Sequence, residues 1–143
     1  MLVRIPEDMR RFRRLTLRNT IIVGRETLAT FPDGKPLAGR ANIVLSAKGL
    51  AGVNTVPSVE VALEMVRRLG RGTYVVGGQQ VYEAFLTYCG EAYVTRIDAD
   101  YDADRFFPPL DKLEGWRLAK SGEWREYAEV RYRYETWERG GIK

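Results

Sequence analysis

The 143-residue sequence contains no histidine and a single cysteine, Cys89. One cysteine excludes an intrachain disulfide, and the lack of imidazole ligands disfavours a zinc or haem site. No apolar run approaches the roughly 20 residues of a membrane-spanning helix, and no apolar signal segment follows the N-terminus. We therefore expect a protein of the reducing cytoplasm, with no bound metal and no membrane partner.

Positive charge is in excess at only one end of the chain. The formal net charge is +4, and residues 1–18 account for it, with six arginines against Glu7 and Asp8. The basic and acidic residues of the remainder cancel. Because a dispersed basic surface is absent, we expect no nucleic-acid partner. The cluster suits a solvated helix face or a field for a small anionic ligand.

Strand and helix patterns alternate along the chain. Strands are predicted at 20–23, 42–46, 53–56, 73–76 and 92–97, and helices at 5–16, 26–29, 59–69 and from 79 onward. Two further strands, 116–123 and 130–137, have the alternation of an antiparallel hairpin. This order predicts a single α/β domain over residues 1–143, with a mostly parallel central sheet, a C-terminal antiparallel hairpin and helices on both faces.

Residues 73–86 hold the strongest local motif. A strand pattern ends at Gly77-Gly78, and a helix pattern begins at Gln79. Glycine lets a ligand approach the backbone, and N–H groups at a helix start attract anions. Taken alone, an ordinary strand-to-helix turn explains the motif better than a ligand site does.

Alternating aspartates form an acidic stretch later in the chain, at Asp98, Asp100, Asp102 and Asp104. An EF-hand calcium loop needs a glycine for its sharp turn and a closing glutamate, and this stretch has neither. We expect a solvated loop here.

Six groups of residues, in order, carry a resemblance to a known family. They are Ile5-Pro6-x-Asp8-Met9-x-x-Phe12-x-x-x-Thr16, Val23-Gly24-Arg25-x-Thr27, Lys35-Pro36-Leu37-x-Gly39-Arg40-x-Asn42-Ile43-Val44-Leu45-Ser46, Val76-Gly77-Gly78-x-x-Val81-Tyr82, Val94-Thr95-x-Ile97 and Phe106-Phe107-Pro108. From Ile5 to the C-terminus the chain resembles dihydrofolate reductase. The resemblance implies that family's three-layer fold. It also implies NADPH-dependent reduction of 7,8-dihydrofolate to 5,6,7,8-tetrahydrofolate, with hydride transfer to C6 and protonation at N5.

The resemblance implies the substrate-binding residues. Asp8 resembles the family's buried carboxylate, which holds the pterin 2-amino group and N3, and Thr95 resembles the threonine that orients it. Arg40 resembles the arginine that grips the carboxylate of the glutamate tail, a task suited to a guanidinium. Arg13 and Lys35 would add to that field, although exposed helix arginines are commonplace. The other substrate-binding residues implied are Ile5, Met9, Phe12, Phe31, Leu37 and Val76.

The resemblance also implies the NADPH-binding residues, with a cis Gly77–Gly78 peptide among them. They are Gly24, Arg25, Glu26, Thr27, Leu45, Ser46, Ala47, Lys48, Gly77, Gly78, Gln79, Gln80, Val81 and Tyr82. Ala47 departs from the arginine, serine or histidine that the family often has near the 2′-phosphate. Arg25 and Lys48 would then supply the preference for NADP.

The N-terminus is the larger departure, because family members begin with a central strand and a mobile loop before the Ile5-Pro6 motif. We expect that the chain is N-terminally truncated, which leaves its activity open. The alternatives are an inactive remnant that binds NADPH or folate, and a reductase domain of riboflavin synthesis, against which Asp8 and Arg40 argue. A monomer is expected, or a dimer if a second chain replaces the missing strand.

Overall fold

The structure, a computed structural model, describes residues 5–50, 52–98 and 110–139. Within them the chain forms two compact units. The parallel unit comprises the described part of residues 9–86, and the antiparallel unit comprises residues 5–8 and the described part of 87–139. The predicted acidic loop beyond Asp98 and the Phe106-Phe107-Pro108 group lie outside the described residues.

The parallel unit is built on a four-stranded sheet. Its strands are β1 (Thr20–Gly24), β2 (Ala41–Leu45), β3 (Asn54–Val56) and β4 (Thr73–Gly77), all parallel in the order β3-β2-β1-β4. The helices are α1 (Pro6–Thr16), α2 (Arg25–Ala29), α3 (Val59–Leu69) and α4 (Gln79–Phe85). The first three residues of α1 belong to the antiparallel unit.

Alternate residues of the parallel strands enter two apolar clusters, one on each face of the sheet. Ile22 packs with Ala62 of α3 and Phe85 of α4. Its neighbour Val23 packs with Leu28 of α2 in the other cluster. Because neighbouring strand residues point to opposite faces, this division follows from the β-branched run of β1. The prediction of helices on both faces is confirmed.

The antiparallel unit contains the C-terminal strands. They are β5 (Glu91–Asp98), β6 (Trp116–Ser121), β7 (Arg125–Tyr127) and β8 (Val130–Arg139). β8 lies between β5 and β6, and β7 pairs with its N-terminal part. The predicted hairpin is confirmed, and β7 is an element that the sequence did not predict. Among the described residues, β4 and β5 are edge strands of their sheets.

Membrane-spanning helices and clusters of metal-binding side chains are both absent from the described residues. None of their helices has both the length and the apolar character needed to cross a membrane. They also contain no group of three or more histidine, cysteine, aspartate or glutamate side chains arranged to hold a metal ion.

Candidate active site

The carboxylate of Asp8, in the first turn of α1, is paired with Thr95 in β5. The Thr95 hydroxyl donates a 2.5 Å hydrogen bond to Asp8 Oδ1, which is the pairing that the resemblance implies. Asp8 is half-buried, however, and not buried as the resemblance implied; it lies in a helix turn whose residues Pro6, Met9 and Arg10 are exposed. Met9 itself is 52% exposed and takes no part in the apolar core.

Glu7, the neighbour of Asp8, has more bonding partners than the sequence analysis assigned to it. Both of its oxygens accept hydrogen bonds of 2.9 Å from Arg125 Nη1. The hydroxyls of Tyr134 and Tyr132 donate to Oε1 at 3.0 and 3.2 Å. The Tyr134 hydrogen bond, with help from Arg125, lowers the pKa of Glu7 against the opposing effect of burial. The sequence does not reveal these partners, because no local pattern links residue 7 to residues 125–134.

The three segments predicted to bind the cofactor follow three neighbouring strands. β2, β1 and β4 are adjacent and parallel, with Gly24 paired to Leu45 and Val23 paired to Gly77. Their carboxyl ends therefore lie at one edge of the sheet, followed by residues 46–48, 25–27 and 78–80. In open parallel sheets, ligands bind in the crevice outside this edge.

Glycines at these strand ends leave little room for side chains. The Gly77–Gly78 peptide is cis, as the resemblance implied. A Cβ on Gly24 would lie 3.0 Å from Val81 Cγ2, one on Gly77 3.3 Å from the Tyr82 ring, and one on Gly78 3.3 Å from Thr27 Oγ1. Packing against Val81, Tyr82 and Thr27 therefore favours glycine at these three positions.

Tyr82 braces the turn that contains the cis peptide. Its hydroxyl donates a 2.5 Å hydrogen bond to the carbonyl of Val76, and its N–H donates to the carbonyl of Gly78. Burial raises the pKa of Tyr82 to about 12, so the hydroxyl keeps its proton at neutral pH. Tyr82 thus bonds both residues that flank Gly77, Val76 through its side chain and Gly78 through its backbone.

The predicted cofactor residues differ in what their side chains can reach. The side chains of Leu45 and Val81 pack in the core cluster around Ile22, so only their backbone groups remain for a ligand. Thr27 and Ser46 are half-buried. The exposed residues at this edge are Arg25, Glu26, Ala47, Lys48, Gln79 and Gln80.

Three of the predicted substrate-binding residues gather on one face of the parallel sheet. Phe31, Leu37 and Val76 are partly buried and pack against the cluster that contains Val23 and Leu28. Ile5, by contrast, is only 3% exposed and lies in the antiparallel unit. Three apolar side chains on one face provide a surface on which a flat aromatic ring could pack.

Arg40 is held in place from two sides. Its Nε and Nη2 donate to the carbonyl of Ala38 at 3.1 and 3.0 Å, and its Nη1 donates to Thr16 Oγ1 at 3.2 Å. Thr16 in turn donates to the carbonyl of Phe12. Burial and the nearby charge of Arg13 lower the pKa of Arg40. The charge of Arg13 thus acts on Arg40, whereas Lys35 is exposed and has no side-chain ion pair in the part of the chain that is described.

Asn42 organises the loop before β2, a role that the sequence analysis missed. Its Nδ2 donates to the carbonyls of Leu37 and Arg40 at 2.9 Å, and its Oδ1 accepts from the N–H of Leu37 at 3.0 Å. An asparagine in an apolar strand pattern that follows a glycine-containing loop is the sequence signal for such side-chain to backbone hydrogen bonds.

Comparison with known proteins decides the family. The sequence model of the family described as dihydrofolate reductase matches residues 1–139. The chain belongs to the dihydrofolate reductase family. It is 38% identical over 144 residues to the dihydrofolate reductase of Mycobacterium tuberculosis, an alignment that covers 95% of this chain and 84% of that protein. It is 37% identical over 122 residues to that of Neisseria gonorrhoeae, covering 83% and 74%.

A solved structure of the family has a similar fold. Dihydrofolate reductase from Enterococcus faecalis, complexed with NADP(H) and RAB-propyl, superposes with a TM-score of 0.80 at 28% identity. The superposition covers 96% of this chain and 84% of that one. The dihydrofolate-reductase-like α/β fold and the assignment as an oxidoreductase are thereby confirmed.

Proposed function

We propose that the chain reduces 7,8-dihydrofolate to 5,6,7,8-tetrahydrofolate with NADPH, by hydride transfer to C6 and protonation at N5. Family membership supports this reaction. The hydrogen bond between Thr95 and Asp8 is the observation that supports the assignment of Asp8 as the substrate-binding carboxylate. A carboxylate fixed by one donor keeps acceptor capacity for a second partner.

Asp8 is the substrate-binding carboxylate in this proposal. With one oxygen held by Thr95, it accepts hydrogen bonds from the pterin 2-amino group and N3. Its negative charge favours the N5-protonated form of the substrate, which accepts hydride at C6 more readily. Arg40 and Arg13 bind the carboxylate of the glutamate tail, which their two neighbouring positive charges attract.

The residues at the edge of the parallel sheet fit NADPH. Gly24, Gly77 and Gly78 carry no side chains, and the backbone of such residues can contact a pyrophosphate group closely. Arg25 and Lys48 are exposed cations that follow the adjacent strands β1 and β2, and they bind the 2′-phosphate. When bound, NADPH supplies the hydride. The single-domain organisation, the monomeric state and the cytoplasmic location remain predictions.

A spectrophotometric assay tests this function. The absorbance of NADPH is followed with and without dihydrofolate, and the assay is repeated with NADH. We expect oxidation that requires dihydrofolate and is faster with NADPH. Lys48→Gln lowers kcat/KM for NADPH about tenfold and leaves that for NADH unchanged, since only NADPH has the 2′-phosphate.

The control for this variant is Lys120→Gln, an exposed lysine of β6, which leaves both values unchanged. Binding of NADPH without dihydrofolate-dependent oxidation would contradict the proposal and indicate a remnant that only binds.

A further inference from the structure

Four side chains form a continuous row on one face of the antiparallel sheet. Thr95 of β5 is paired with Tyr134 of β8, and Arg125 of β7 is paired with Tyr132 of β8. Directly opposed residues share a face, as do residues two apart on one strand. The row therefore runs across three strands.

The two consecutive carboxylates of α1 bind this row. Asp8 accepts a hydrogen bond from Thr95. Glu7 accepts from Arg125 and from both tyrosines. The tyrosine rings meet edge to face with centroids 5.8 Å apart, and the Arg125 guanidinium lies 5.5 Å from the Tyr134 ring centroid. Glu7 is thus held by three side chains, and these side chains also contact one another.

Helix geometry couples the two attachments. Consecutive residues of an α-helix point about 100° apart around its axis. A side chain fixed at Glu7 therefore fixes the rotation of the first turn, and with it the direction of Asp8. The Arg125 charge is also matched by Glu7, so it does not draw the neighbouring carboxylate away from Thr95.

We propose that Glu7 is a positioning residue of the reaction: its bonds to the sheet hold Asp8 in the orientation in which the Thr95 hydroxyl reaches it. This inference rests on the proposed function, in which Asp8 binds the pterin. Glu7 acts through its neighbour and does not contact the substrate. Misplacing a reacting group by about 1 Å costs on the order of 10²-fold in rate, so an orienting residue has a measurable effect.

A ligand-free NMR experiment tests the positioning. Threonine methyl groups are labelled with ¹³C, and the Thr95 signal is assigned by its loss in Thr95→Val. Asp8→Ala gives the position of this signal when the hydrogen bond is absent. We expect Glu7→Gln to move the Thr95 signal toward the Asp8→Ala position.

The matched control is Glu60→Gln, because Glu60 is the second residue of α3, as Glu7 is of α1, and Glu60 is exposed. Its variant leaves the Thr95 signal unchanged. A Glu7→Gln signal that coincides with that of the wild-type chain would overturn the proposal. If Glu7→Gln does not fold, Arg125→Met decides in its place, since it removes the charged partner and retains the tyrosine next to Thr95. An unmoved Thr95 signal in Arg125→Met would equally overturn the proposal.

Kinetics separates positioning from a purely structural role. Glu7→Gln and Thr95→Val should each lower kcat for dihydrofolate reduction about tenfold, and the double variant should lower it no further than Thr95→Val does. Effects that multiply in the double variant would contradict the inference. The proposed function has its own test: it is wrong if Asp8→Asn retains full turnover or if the wild-type chain has no turnover. In either case the Thr95 NMR signal still shows whether Glu7 positions Asp8.

Discussion

Arg40 Nη1 donates a hydrogen bond of 3.2 Å to Thr16 Oγ1, the last residue of α1. The same hydroxyl donates to the carbonyl of Phe12 one turn earlier. The end of α1 and the loop before β2 are thereby linked through one threonine. This link sets the direction of the Arg40 guanidinium, whose remaining N–H groups are available to an anion.

We therefore predict that Arg40→Lys raises KM for dihydrofolate roughly tenfold, because an ammonium replaces bidentate contact with a point charge. The affinity for NADPH should not change. Steady-state kinetics with each substrate varied measures both effects. Arg14→Lys, which changes an exposed arginine of α1, is the matched control and should behave as the wild-type chain. An equal loss in the two variants would show that Arg40 has no specific role.

Gly24 provides a test of the cofactor edge. A Cβ at this position would lie 3.0 Å from Cγ2 of Val81, which is only 5% exposed. Gly24→Ala should therefore destabilise the fold by about 1–3 kcal/mol through overpacking and weaken NADPH binding. Urea unfolding and fluorescence titration measure the two effects.

The control for this substitution is Gly49→Ala, where the nearest atom is Thr55 Oγ1 at 3.8 Å. We expect that variant to change stability by less than about 0.5 kcal/mol. If Gly24→Ala bound NADPH as tightly as Gly49→Ala does, the assignment of this edge to the cofactor would be wrong.

Glu135 of β8 is a buried carboxylate, with 2% of its surface exposed. Arg133 Nε donates to one oxygen at 2.9 Å, and Trp137 Nε1 and Arg96 Nη2 donate to the other at 2.9 and 3.2 Å. Burial alone would raise the pKa of Glu135. The hydrogen bonds from Trp137 and the two arginines outweigh burial and lower the pKa below its usual value.

This shift predicts an acid-dependent loss of stability. A carboxyl with a lowered folded-state pKa stabilises the fold above its unfolded pKa of about 4.3, and the stabilisation is lost as the pH falls through the folded value. Glu135→Gln should lower the free energy of unfolding by about 2 kcal/mol at neutral pH, and less at about pH 3. Urea unfolding across this range measures the difference. A constant difference between the two proteins across the range would contradict the prediction, and Glu123→Gln, at an exposed position, is the control.

Local sequence patterns were sufficient to predict most elements. α3 was predicted with its observed bounds from its apolar spacing and from Gly70, which ends the helix with φ of 66°. The structure adds Ser58, whose side chain caps the first turn. β7 was not predicted, because its three residues are all exposed and carry no apolar alternation. A single mostly parallel sheet with a terminal hairpin was expected, whereas the described residues form separate parallel and antiparallel sheets.

The candidate site was predictable only where a family motif names the residue. Asp8 and Thr95 were found in this way, and they are bonded. The partners of Glu7 were not found, because 118 or more positions separate it from Arg125, Tyr132 and Tyr134. Pairings over such distances are set by tertiary packing and leave no periodic signal in the sequence.

The most direct test of the proposed function is the kinetics of Asp8→Asn. This change removes the charge of the carboxylate and retains its size and an oxygen for Thr95. We expect kcat/KM for dihydrofolate to fall by on the order of 10²-fold or more, with NADPH binding unchanged. Asp33→Asn is the matched control, at an exposed position with φ of 57° that asparagine also tolerates, and it should retain full activity. Turnover of dihydrofolate by Asp8→Asn at the rate of Asp33→Asn would contradict the assignment of Asp8.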